Sequence, residues 1–287
     1  ELHTLEPRAT EPLEFLAMLS LQSAQPDAAI GFFRQLTELA PGNPLYVDRL
    51  ASLLARTGRA EEAQAAYLLL LEQNPGLTAS RFNYAGLLRG CNANEEALEA
   101  YQVCLDQKIE RPEEVLGNMG AILADLNRNE ESAEAFHRAL AHAPDHAPAH
   151  YNLALYYEEC GSWSEAQHHL QLIPQADPLY PRAMARLAQG EAITDAQHPI
   201  ISELRSQLQR DNLQPLEREE LHFALAKVLD DAGQYAQAFT ECESANALAA
   251  ERAPAYRSAF EEQQVSRIIA SEEEGVWAAL EPVSEEP

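Results

Sequence analysis

A proline returns along this chain at a nearly constant interval, each time at the end of an amphipathic stretch. Pro41, Pro75, Pro144 and Pro178 are separated by 34, 69 and 34 residues, and 69 is two intervals of 34 plus one inserted residue. Repetition at this period is typical of helical repeat proteins, in which each unit buries its apolar face against its neighbours. The chain is therefore expected to be a stack of similar units.

Each interval contains two small residues about twelve positions apart and, four positions after the second, one large residue. The earlier small residues are Ala17, Ala51, Ala85, Gly120 and Ala154. The later ones are Ala29, Ala63, Ala97, Ser132 and Ala166, and the large residues are Phe33, Tyr67, Tyr101, Phe136 and Leu170. Small residues in two successive helices allow close packing, and proline ends the second helix. The pattern predicts two antiparallel helices per unit.

This pattern resembles the tetratricopeptide repeat. The resemblance covers residues 10–178 as five units, with a further unit at 218–251 around Leu225, Ala226 and Ala238. It implies an all-α fold, a right-handed superhelical solenoid of stacked antiparallel helix pairs. The 49 alanines and 40 leucines, against 7 valines, 9 isoleucines and 7 threonines, also favour helix over strand.

The remaining segments lack the repeat signature. We interpret residues 1–9 as an N-terminal extension, 179–217 as a degenerate helical pair, 252–270 as a capping helix and 271–287 as an acidic tail or linker. The capping helix is predicted from apolar residues at helical spacing, among them Tyr256, Phe260 and Val265.

Three asparagines occupy the same place in successive first helices. Asn83, Asn118 and Asn152 each stand two residues before the small residue of that helix. An amide both donates and accepts hydrogen bonds, so such a row can hold a peptide backbone. The row resembles the asparagine ladder of tetratricopeptide proteins such as the O-linked N-acetylglucosamine transferases. The alternative is that the amides bond to neighbouring helices and set the superhelical twist.

The first helices of such a solenoid line a concave groove that suits a peptide or a partner helix. We therefore expect a non-enzymatic module that binds a polypeptide or protein partner, with no cofactor. Beside the asparagines, the predicted groove residues are Phe82, Arg89, Tyr151 and Phe223.

The formal charge of −26, from 46 acidic and 20 basic residues, argues against nucleic acid and permits a basic or neutral partner. The alternative is that the acidic residues only keep the exposed helical surface soluble. No apolar run approaches the roughly 20 residues that cross a bilayer. Four widely spaced cysteines fit a reducing compartment, so a cytoplasmic location is expected.

The histidines are the best candidates for metal ligands in this sequence, but their spacing is only weak evidence for a metal site. His142, His146 and His150 are spaced by four, but Pro144 and Pro148 interrupt any helix that would align them. The adjacent His168 and His169 point in different directions on a helix. We predict no metal site and, in the absence of phosphate-loop, nucleophile-elbow or zinc-protease motifs, no catalytic residues.

The last unit carries a narrower resemblance, to the junction between tetratricopeptide repeats and a sulfotransferase domain in bacterial proteins. It rests on Ala238-Phe239, Asn246-Ala247-Leu248, Arg252 and Tyr256. It implies that a catalytic domain follows Pro287. The alternative function is therefore the substrate-presenting or regulatory region of a sulfotransferase.

Overall fold

The computed structural model describes residues 10–190 and 192–252. These ranges contain fourteen helices and no strand. The helices are α1 Thr10–Gln22, α2 Pro26–Leu39, α3 Pro44–Arg56, α4 Ala60–Gln73, α5 Thr78–Gly90, α6 Asn94–Asp106, α7 Pro112–Asp125, α8 Asn129–His142, α9 Ala147–Glu159, α10 Trp163–Gln171, α11 Tyr180–Gly190, α12 Pro199–Leu208, α13 Pro215–Asp231 and α14 Tyr235–Arg252. The predicted all-α solenoid of stacked antiparallel helix pairs is confirmed.

Local sequence sets where the helices begin. Proline stands in the first turn of α3, where its fixed φ suits a helix and its missing N–H is not needed. The side chain of Asn43 accepts a hydrogen bond from the Leu45 amide at 3.1 Å and caps the same helix. Glutamates fill the first turns of α4, α6 and α8, where the helix dipole favours negative charge.

The small and large repeat residues form the contacts that their spacing predicts. All of the small residues are buried, as are Phe33, Tyr67, Tyr101, Phe136 and Leu170. At Gly120 a Cβ atom would lie 2.7 Å from the Phe136 ring, so any side chain at this position of α7 would force that ring to shift. Ser132 closes the same contact by donating a 2.8 Å hydrogen bond to the Gly120 carbonyl oxygen.

The chain forms two compact units, one within residues 1–191 and the other within 192–287. In the first, α1 to α10 make five helix pairs and α11 packs on α10. In the second, α12 packs on α13, and α13 pairs with α14. The segment 179–217, interpreted above as one degenerate pair, thus contributes α11 to the first unit and α12 to the second. Residues 1–9, the capping helix at 252–270 beyond Arg252, and the tail at 271–287 lie outside the described residues.

Candidate functional site

The row of asparagines lies on the solvent side of the first helices. Asn83 is on α5, Asn118 on α7 and Asn152 on α9, each two residues before a buried small residue. Asn83 is exposed, and the other two are partly exposed. The 34-residue repeat places them at equivalent points because each first helix packs on its neighbours in the same way.

The amide groups of this row are not used to join helices. Asn152 donates a 2.8 Å hydrogen bond from Nδ2 to the Pro148 carbonyl oxygen, which belongs to its own helix. Within residues 10–190 and 192–252, neither Asn83 nor Asn118 makes a side-chain hydrogen bond to another helix.

A charged residue at the next repeat position was not predicted from the sequence. Arg186 stands 34 residues after Asn152, the repeat spacing, on α11. It donates from Nε to the Tyr151 hydroxyl at 3.1 Å and forms an ion pair with Glu158. Extending the 34-residue count beyond Pro178 would have found it.

Tyr151 is buried, contrary to the expectation that it lines an open groove. Only 5% of its surface is exposed, because α11 covers it. The guanidinium carbon of Arg182 lies 5.0 Å from the centre of the ring, and that of Arg186 lies 5.8 Å from it. Tyr151 therefore joins α9 to α11, through these cation–π contacts and its hydrogen bond with Arg186.

Phe82 and Asn83 meet at one cavity of about 490 Å³. Phe82 itself rests edge-on against the buried Tyr101, with ring centres 5.5 Å apart. The cavity is bounded by α5, the α6–α7 loop and the first turn of α7. Its lining residues are Thr78, Ala79, Phe82, Asn83, Ile109, Glu110, Arg111 and Glu114.

Asn152 faces a different cavity, of about 170 Å³, between the end of α7, the start of α8 and α9. Asn127, Tyr156 and Glu159 line it as well, so it is more polar than the cavity at Phe82. The row of asparagines thus passes two separate depressions of the surface.

Two further predicted groove residues lie apart from these cavities. The Arg89 Nη2 atom lies 3.2 Å from Asp125 Oδ2, an ion pair that joins the ends of α5 and α7. Phe223 is 37% exposed on α13, in the second unit, and is not assigned to the surface that carries the asparagines.

The histidines are placed as structural groups. His146 caps α9 by accepting a 3.3 Å hydrogen bond from the Ala149 amide, and His150 is buried beside it. Across the described part of the chain, no three histidine, cysteine or acidic side chains are grouped so that they could share a metal ion.

None of the described helices is long and apolar enough to cross a bilayer.

Comparison with known families agrees with this fold. Residues 123–190 match the family model of the tetratricopeptide repeat. A tetratricopeptide repeat protein of Parabacteroides merdae superposes with a TM-score of 0.59 at 16% identity, over 88% of this chain and 96% of that one. PilF of Pseudomonas aeruginosa superposes with a TM-score of 0.58 at 14% identity, over 81% of this chain and 97% of PilF.

Among curated proteins, the chain is similar to peroxisomal targeting signal receptors. The receptor of Candida glabrata is 39% identical over 82 residues, which are 27% of this chain and 14% of the receptor. That of Kluyveromyces lactis is 37% identical over the same length. The chain therefore spans only a small part of the curated relatives it matches.

Proposed function

We propose that the first unit binds an extended segment of a partner polypeptide along Asn83, Asn118 and Asn152. The observation that carries this proposal is that the three amides stand in one row and make no described hydrogen bond to a neighbouring helix. The alternative role, in which they set the superhelical twist, requires such bonds.

Amides at regular spacing suit a peptide backbone better than a particular side chain. Each can donate to a backbone carbonyl and accept from a backbone N–H, whatever the sequence of the ligand. Sequence preference must then come from the surface between them, such as the cavities beside Asn83 and Asn152.

The family match supports binding over catalysis. Proteins with tetratricopeptide repeats typically mediate protein–protein interactions and are generally not enzymes. The matching curated proteins are named as receptors for a targeting signal. The resemblance to sulfotransferase fusions gains no support from these comparisons, and we do not propose that activity.

Charge favours a basic or neutral partner. The chain carries 46 acidic and 20 basic residues, and in the first unit Arg34, Arg59, Arg89, Arg111 and Arg128 are all ion-paired with acidic neighbours. The acidic excess of the chain attracts cationic segments at long range.

The test is selection of peptides from a phage-displayed library of random dodecamers, followed by titration of the synthetic peptides by fluorescence anisotropy. A triple variant, Asn83→Ala with Asn118→Ala and Asn152→Ala, is expected to weaken binding at least about tenfold, since lost hydrogen bonds cost roughly 0.5–1.5 kcal/mol each. Its thermal unfolding should match that of the native chain.

The matched control carries Asn94→Ala and Asn246→Ala, on the second helices α6 and α14. It should bind the selected peptides as the native chain does. Equal affinity of the triple variant and the native chain would remove the asparagine row from the proposal.

A further inference from the structure

The α6–α7 loop differs from the corresponding loops of the other pairs. Five residues separate Asp106 from Pro112, whereas four separate α4 from α5 and α8 from α9. The loop is longer because α6, with 13 residues, ends one residue earlier than the 14-residue helices α4 and α8. Lys108, in the loop, has a φ of 58°, so the chain turns there through the left-handed region.

The longer loop brings Ile109 to the side of α5. Ile109 and Phe82 are partly buried and pack against the same apolar cluster as Tyr101 and Val115. With Ala79 they form the apolar wall of the 490 Å³ cavity, and Asn83 stands at its edge. This volume lies within the range of about 300–1,000 Å³ that is usual for ligand-binding cavities.

The rim of this cavity is negatively charged. Arg111 is paired with Glu113, at 3.1 Å between Nε and Oε1, and with Glu114. Glu110 is exposed and makes no ion pair with any described residue. Two carboxylates, Glu110 and Glu114, and one guanidinium, Arg111, thus line the cavity, and Arg111 is already paired with Glu114.

We infer that the lengthened loop builds a side-chain subsite beside Asn83 for an aliphatic or aromatic residue that has a lysine or arginine next to it. The inference rests on the proposed function, because the asparagine row would hold the backbone of the same peptide. The apolar wall supplies the site for one side chain, and Glu110 supplies the charge that selects its neighbour.

Two variants test the subsite. Ala79 is exposed on α5, so Ala79→Trp fills the cavity without disturbing the core. Glu110→Lys reverses the charge of the rim. The controls are Ala65→Trp and Glu72→Lys, at exposed positions of the second helix α4.

Dodecamers selected on the native chain are expected to share an apolar residue adjacent to lysine or arginine. Their affinity should fall about tenfold in Ala79→Trp, the loss of roughly one buried apolar side chain. It should fall about threefold in Glu110→Lys at low salt and less at high salt, because exposed charges are screened. Changing the peptide's basic residue to glutamate should restore binding to Glu110→Lys.

The outcomes separate this inference from the proposed function. Peptides that depend on the asparagine row but bind Ala79→Trp and Glu110→Lys like the controls would overturn the subsite and leave the groove intact. Peptides that do not depend on the row would overturn the groove as the site of binding. Failure to select any peptide would contradict both.

Discussion

The Nδ1 atoms of His150 and His169 lie 3.0 Å apart, across the contact between α9 and α10. The Nε2 atom of His150 is 2.9 Å from the Pro144 carbonyl oxygen, which can only accept, so Nε2 carries a proton. In the neutral ring Nδ1 of His150 is then the acceptor, and Nδ1 of His169 is the donor. This hydrogen bond therefore requires at least one of the two rings to be neutral, because two charged rings would place two donors against each other.

The surroundings keep both rings neutral. Burial and, to a smaller extent, the nearby His150, His137 and His168 together lower the pKa of His169 to about 4. Burial also lowers the pKa of His150, which is 3% exposed. Tyr157 stacks on the His169 ring at 5.5 Å and, through its hydroxyl, contacts His137 Nε2 at 3.2 Å.

We predict that the protein loses stability as the pH falls from about 6.5, the ordinary histidine pKa, toward 4. Over this range the unfolded chain binds protons that the folded chain does not, so acid favours unfolding. The measurement is the midpoint of thermal unfolding at a series of pH values. His169→Phe should reduce the slope between pH 6.5 and 5, and a slope equal to that of the exposed-site control His142→Ala would contradict the assignment.

The close contact between Gly120 and Phe136 predicts that even an alanine side chain at position 120 lowers the stability of the protein. Gly120→Ala should destabilise the protein by about 1–3 kcal/mol, because a Cβ atom there overlaps the Phe136 ring. The control is Gly86→Ala on α5, where the nearest atom, the Tyr101 hydroxyl oxygen, is 3.7 Å from the added Cβ. Gly86→Ala should gain up to about 1 kcal/mol from helix propensity. Urea unfolding measures both, and equal effects would count against close packing at Gly120.

The ion pair of Arg186 with Glu158 predicts a second effect on stability. Arg186→Gln should cost about 1–2 kcal/mol, because the partly buried Glu158 loses its cation and Tyr151 loses a donor. A double variant, Arg186→Gln with Glu158→Gln, should recover part of this loss in urea unfolding. If the double variant is less stable than Arg186→Gln alone, the carboxylate is not held by this arginine.

The cysteines should differ in reactivity. Burial raises the pKa of Cys104 to about 11, and its thiol lies 3.6 Å from the Thr78 carbonyl oxygen, whereas Cys91 and Cys160 are exposed. At neutral pH a maleimide should label Cys91 and Cys160 quickly and Cys104 only after unfolding. Cys104→Ala should leave the number of quickly labelled thiols unchanged by mass spectrometry, and a loss of one would place Cys104 at the surface.

Much of the fold can be predicted from the sequence, because close packing within a helix pair depends on a few residues at fixed spacing. Ala85 and Ala97 are buried where the repeat places them, and the row of Asn83, Asn118 and Asn152 follows from the same period. Helical periodicity is a local property of the sequence, and it determines which residues of a helix face the other helix of the pair.

The burial of Tyr151 under α11 and the cavity beside Phe82 could be seen only in the tertiary structure. Tyr151 has the sequence position of a groove residue, and only the approach of α11 buries it. The position of Ile109 and Glu110 beside Asn83 could not be predicted from the spacing of the prolines, because it depends on where α6 ends and how the loop packs on α5. The sequence alone therefore determined which residues form the helix pairs, since those contacts recur with the repeat. The tertiary structure decided which surfaces remain exposed, because exposure depends on contacts between residues in different repeats and in the loops between them.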